Sequence, residues 1–147
     1  NGWLLLRGLR TLPMRLDRIN QTTQRLVQFL DEHEDVEKII FPFHPSFDQY
    51  ELAKKQMKAA LGLVTIVLKD RNRQQIIQFC ESLKHFLMAV SWGGHESLVI
   101  PRCAFIKKEL FDEENESHRH IRLYFGLEDA QYLIDDIDQA LKQSRTM

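Results

Sequence analysis

The stretch HIRLYFGLEDAQYLIDDIDQALKQ, residues 120–143, decides the fold class. His120 to Phe125 alternates in the manner of a strand, whose side chains fall on opposite faces at every second residue. Gly126 ends that pattern. Ala130, Leu133, Ile134, Ile137 and Leu141 then return at three- and four-residue spacings, one face of an amphipathic helix. A strand followed at once by such a helix is the unit of an α/β layer, with helices laid against a sheet.

The same grammar recurs upstream. Val36 to Phe41 is a short β-branched run ending at Pro42, which predicts a strand, and Pro42-Phe43-His44-Pro45 reads as a loop. Ser46 is placed to cap a helix running to about Ala60. Leu63 to Lys69 is nearly continuous in its apolar residues, as a central or doubly covered strand is. Asn72 is placed to cap the next helix, which carries Ile76, Ile77, Phe79, Cys80 and Leu83. Phe86 to Ser91 reads as a strand that stops at Gly93-Gly94, and the polar stretch from Lys107 to Arg119 as a solvated turn or short helix. At the N-terminal end, Leu5, Leu9, Leu12, Leu16, Ile19, Leu26 and Leu30 predict a long helix over 2–33, kinked or broken at Pro13. The expected fold is a mainly antiparallel four-stranded sheet, from strands near 36–41, 63–69, 86–91 and 120–126. Helices near 46–60, 73–84 and 128–143 should cover it.

Composition narrows the function classes. The 147 residues suit one domain with a real core, and 20 basic against 21 acidic side chains leave a formal net charge of -1. No field for nucleic acid or an anionic membrane surface follows from that balance. No apolar run reaches the roughly 18 residues of a membrane span. Arg7 and Arg10 interrupt the apolar start, and no cleavage site follows it. The chain opens without Met inside a helical pattern, which predicts a piece of a longer polypeptide. Cys80 and Cys103 form no C-x-x-C pair and suit free thiols in a reducing cytoplasm.

Each candidate motif has a plain rival reading. Gly93-Gly94 lacks the glycine-rich surroundings of a phosphate loop and reads as a sharp turn. His95-Glu96 is not a zincin start, because Val99 stands where the second His belongs. His118 and His120 lack a third ligand, so no metal site is expected. Ser91, His95 and Glu96 lack the G-x-S-x-G elbow of a nucleophilic triad, and Cys103 is no better a nucleophile. Arg122 is different. It lies between Ile121 and Leu123 in an apolar strand, where a cation is costly unless it meets an anion. Glu128 or Asp129 would serve as an internal partner; a ligand carboxylate or phosphate, gripped by the planar guanidinium, would serve equally.

Four segments in order carry a more specific likeness: Leu6-Arg7-Gly8-Leu9-Arg10-Thr11-Leu12-Pro13-Met14-Arg15, Tyr50-Glu51-Leu52-Ala53-Lys54-Lys55-Gln56-Met57, Ala89-Val90-Ser91-Trp92-Gly93-Gly94-His95-Glu96-Ser97-Leu98 and Ile121-Arg122-Leu123-Tyr124-Phe125-Gly126-Leu127-Glu128-Asp129. Together they resemble the trans-sulfuration enzymes, the pyridoxal-phosphate family of cysteine and methionine metabolism. The resemblance implies an aspartate-aminotransferase-like C-terminal small domain over 34–147. Residues 1–33 would be the helix that links it to a large cofactor-binding domain of the same polypeptide. It implies that the family's Schiff-base lysine lies in that large domain; Lys69, Lys84 and the other lysines here do not match it. The cofactor, pyridoxal phosphate, would then belong to the full-length enzyme and not be held by this chain alone, and the chain alone would be inactive. Arg122 matches the arginine that binds the substrate α-carboxylate, and Ser91 with the backbone at Trp92 matches the loop lining it. Val90 stands where many cystathionine γ-synthases and γ-lyases carry Glu. The Ser91–Gly94 segment looks closer to bacterial cystathionine β-lyases, and Val90 resembles methionine γ-lyases. The implied parent is a cytoplasmic homodimer or homotetramer acting on a small sulfur amino acid. Its reaction would be carbon–sulfur cleavage, with γ-synthesis or a non-catalytic amino-acid-binding module as alternatives.

Overall fold

The computed structural model describes residues 2–145. Its elements are, in chain order, α1 (Gly2–Arg10), α2 (Leu12–Glu32), β1 (Val36–Ile40), α3 (Tyr50–Gln56), β2 (Leu63–Leu68), α4 (Arg73–Ser82), β3 (Leu87–Met88), β4 (Leu98–Pro101), β5 (Ile121–Tyr124) and α5 (Ala130–Ser144). Short 3-10 turns at Arg102–Phe105, Lys108–Leu110 and Glu116–Arg119 fill the polar stretch before β5.

The helical pattern over 2–33 is divided at Thr11, with Pro13 in the first turn of α2, where its missing N–H leaves no bond unmade. Asn72 caps α4 as expected: its side chain accepts from the Gln75 N–H at 3.0 Å, and Gln75 Oε1 accepts from the Asn72 N–H at 3.1 Å. Asp129 caps α5, accepting from the Gln131 N–H at 2.8 Å. The helix expected over 46–60 is shorter. Ser46 Oγ lies 2.7 Å from His44 Nδ1 and stays in a turn, so α3 begins only at Tyr50. It ends at Gln56 because Met57 is already extended, φ -121 and ψ 145, on the way to β2.

The sheet has five strands, not four, in the order β1-β2-β5-β4-β3. The pairs β1/β2, β2/β5 and β4/β5 are antiparallel, while β3/β4 is parallel, so the sheet is mixed. The extra strand is β4. The chain turns at Gly93-Gly94 and re-enters the sheet beside β5, with Leu98 opposite Tyr124 and Ile100 opposite Arg122. That insertion leaves β3 on the edge, reduced to Leu87–Met88 from the longer strand expected over 86–91. Pro101 closes β4, a position where proline is tolerated.

Alternation then assigns the faces. Val64, Ile66, Leu68, Val99, Ile121 and Leu123 pack under α4 and α5, against side chains such as Phe79, Leu133, Ile137 and Leu141. Each fully buried side chain of this kind contributes about 1.5–3 kcal/mol. The opposite face presents Thr65, Ile100 and Arg122, none of them fully buried. One end of it is roofed by α2, whose Ile19 packs on Leu98 and Tyr124. Cys80 and Cys103 are free and buried, and burial raises both thiols above their ordinary pKa. Among the described residues no helix is long and apolar enough to cross a membrane.

Candidate functional site

Arg122 sits mid-strand in β5 on the less covered face, opposite Thr65 of β2 and Ile100 of β4. Neither acid named as its internal partner reaches it. The Glu128 carboxylate accepts from the Ser97 N–H and the Ser97 Oγ–H, both at 2.8 Å. Asp129 caps α5 and lies 3.5 Å from Arg18. Among the described residues Arg122 makes no ion pair; one guanidinium nitrogen donates to the Val90 carbonyl at 2.6 Å. Its other guanidinium N–H groups meet no partner among the described residues.

The Val90 contact ties Arg122 to the loop of residues 89–97 between β3 and β4. Gly93 in that loop has φ +86, so the sharp turn read from Gly93-Gly94 uses a backbone state that suits glycine. Val90, Ser91 and Trp92 precede it at the exposed tip, with Trp92 63% accessible. The far end of the loop is pinned. Tyr124 donates its hydroxyl to the Gly94 carbonyl at 3.0 Å, and the Leu127 N–H donates to the His95 carbonyl at 2.8 Å. Ser97 is fully buried, and its Oγ also accepts from the Gly126 N–H at 2.9 Å. Burial and the nearby Glu96 charge raise the Tyr124 phenol, which keeps it a donor at neutral pH. Gly126 is obligatory for space: a Cβ there would collide with the His95 carbonyl oxygen.

The result is a loop with an open tip and a fixed base. Tyr124, Ser97 and Glu128 set it, and none was picked out from the sequence as loop anchors. The available signal was the pair of polar residues bracketing Gly126, readable only once β4 is known to lie beside β5. Behind the tip, an apolar cavity of about 430 Å³ runs between Leu12, Leu16 and Ile19 of α2, the chain at Ala60–Leu63, and Trp92.

The side chains of the rejected motifs are engaged with near neighbours. His95 and Glu96 pair with each other at the surface, Nδ1 to Oε2 3.1 Å. His118 lies in a 3-10 turn and accepts from the Asp112 N–H, while His120 Nε2 is 3.5 Å from Glu116. Among the described residues no cluster could hold a metal ion.

The sequence and the fold match known proteins. A family model described as Cys/Met metabolism PLP-dependent enzyme matches residues 1–142. The cystathionine gamma-lyase of Bos taurus is 41% identical over 144 residues, 95% of this chain and 35% of that protein. The cystathionine beta-lyase of Lactococcus lactis subsp. cremoris (strain MG1363) is 36% identical over 147 residues, 97% of this chain and 38% of that protein. A crystal structure of cystathionine gamma synthase from Xanthomonas oryzae pv. oryzae, in complex with aminoacrylate and cysteine, superposes with a TM-score of 0.82. It is 28% identical and covers 95% of this chain and 37% of its own. The chain thus spans a little over a third of the length of the curated relatives it matches. On the family match, which runs over nearly the whole sequence, the chain belongs to the Cys/Met metabolism PLP-dependent enzymes.

Proposed function

We propose that this chain is the substrate-side, C-terminal part of a pyridoxal-phosphate enzyme that breaks a carbon–sulfur bond in a sulfur amino acid, with Arg122 binding the substrate α-carboxylate. The observation that carries this reading is the state of Arg122. Its guanidinium lies on the less covered face of the sheet, meets no acid among the described residues, and donates a hydrogen bond to the Val90 carbonyl of the loop of residues 89–97. A planar fork so placed grips a carboxylate at two points and fixes its orientation as well as its charge. Ser91 and the backbone at Trp92, at the exposed loop tip, line the same carboxylate.

No lysine is among the residues lining the cavity beside Arg122, a lining that fits a substrate carboxylate. The electronic work belongs to the cofactor, which this reading assigns to the rest of the polypeptide. The part played by this chain is to orient the amino acid. The linker over 1–33 would meet the large domain through α1, where Trp3, Leu4, Leu5, Leu6 and Leu9 are all exposed. The parent would be a homodimer or homotetramer. Val90, neutral and exposed at the loop tip, stands where many cystathionine γ-synthases and γ-lyases carry Glu, which favours a β-lyase or methionine γ-lyase type over a γ-synthase.

The test is Arg122→Lys in the full-length enzyme. Charge is kept and the two-point fork is lost, a change of about 1.5–3 kcal/mol. The specificity constant for an amino-acid substrate should fall roughly tenfold to hundredfold with the cofactor still bound. Unchanged steady-state kinetics in Arg122→Ala would contradict the assignment.

A further inference from the structure

The antiparallel pairing that places Ile100 opposite Arg122 continues one rung beyond the formal strands, where the Arg102 N–H donates to the His120 carbonyl at 2.7 Å. Arg102 lies two residues after Ile100, and His120 two before Arg122, so all four side chains belong to the same face. Arg102 and Arg122 are diagonal neighbours across the two strands, within reach of one another's long side chains. Between them is a cavity of about 220 Å³ lined by Thr65, Ile100, Arg102, Phe105, His120 and Arg122. Three of the six are basic and none is acidic. Glu116, which approaches His120 at 3.5 Å, is already held by Lys38 at 2.9 and 3.1 Å. Among the described residues the Arg102 guanidinium has no hydrogen bond or ion pair.

Two guanidiniums facing one small cavity repel, and an anion lying between them relieves that repulsion. The volume is too small for a whole ligand but fits a short acidic arm. We propose that Arg102 is a second anion-binding residue, forming with Arg122 a two-arginine subsite that selects substrates carrying an acidic group in addition to the α-carboxylate. The proposal rests on the reading of Arg122 given above.

The test is calorimetric, with the four-carbon probes succinate and butyrate and the full-length protein. Succinate should bind at least tenfold more tightly than butyrate. Arg102→Gln should remove that advantage and leave butyrate unchanged, with the thermal midpoint unmoved because Arg102 is exposed. Arg102→Lys should restore part of the advantage, since charge returns without the fork. Equal binding of the two probes, or a succinate advantage that survives in Arg102→Gln, overturns the proposal and leaves the Arg122 reading standing. Equal weakening of both probes in Arg102→Gln also overturns it, by placing both arginines on one carboxylate. Butyrate binding that persists in Arg122→Ala overturns the Arg122 reading and this inference with it.

Discussion

The molecule carries two arginine clusters that differ in one respect. In the first, buried Asp35 receives Arg71 at 2.9 Å and Arg145 through both Nε and a terminal nitrogen, with Glu34 also on Arg145. This knot joins the turn after α2 to the end of β2 and the end of α5. In the second, Arg122 and Arg102 share a cavity that contains no acid. Folding alone accounts for the first, because a buried guanidinium must find a carboxylate. It gives no account of the second, where two cations are held on a sheet face without one. In the function proposed above, the partner of the unmatched Arg122 is the substrate carboxylate.

The largest expected effect comes from breaking the first cluster. Asp35→Ala strands Arg71 in the interior and should cost about 3–5 kcal/mol, read as a lower denaturant midpoint with an unchanged slope. Activity per folded molecule of the parent should be intact. The same contact predicts a pH dependence. Burial alone would raise Asp35, but the hydrogen bond from Arg145 and the charges of Arg71 and Arg145 outweigh it and hold the carboxyl below its ordinary value. A depressed folded pKa gives stability that is fully present above the unfolded value of about 3.9 and lost as pH falls through the folded one. Acid unfolding of the wild type should therefore steepen below about pH 4, and Asp35→Asn should flatten it.

A smaller effect is expected at the base of the loop. Ser97→Ala removes the acceptor of the Gly126 N–H and one donor to Glu128, and should cost about 1–3 kcal/mol. Because the tip of the loop follows its base, the KM of the parent should rise more than kcat falls. Unaltered stability would show that the pinned base is solvated and not the anchor described.

The smallest stability change should come from making the clusters alike. Thr65 is the β2 residue directly opposite Arg122, so Thr65→Asp gives that guanidinium an internal carboxylate. Stability should move by less than about 1 kcal/mol, as half-exposed ion pairs do. The specificity constant should nevertheless fall by at least roughly tenfold, because the substrate must now compete with a tethered acid. Full activity in Thr65→Asp would mean that Arg122 is not the anion receptor.

Much of this was legible in the amino acids. The strands at Val36–Ile40, Leu63–Leu68 and Ile121–Tyr124, the Asn72 cap and the last helix follow from local periodicity and capping chemistry. The strand at Leu98–Pro101 was not legible, because a four-residue run that ends in a proline carries no alternation to read. Its absence hid the rest: without β4 beside β5, neither the Ser97–Glu128 anchor nor the Arg102–Arg122 diagonal can be drawn. Ser46 failed as a helix cap because His44 captured its hydroxyl, a contact that sequence spacing does not rank above capping. The charge of Arg122 within an apolar strand was plain from the start. Only the structure shows that Glu128 and Asp129 are occupied elsewhere.

The most direct test of the unmatched arginine is a crystal structure of the full-length protein with an unreactive amino-acid analogue bound. The account predicts both oxygens of the analogue's α-carboxylate about 2.7–2.9 Å from two nitrogens of the Arg122 guanidinium, with Ser91 and Trp92 lining the same group. A carboxylate held elsewhere, with Arg122 still on the Val90 carbonyl alone, would contradict it.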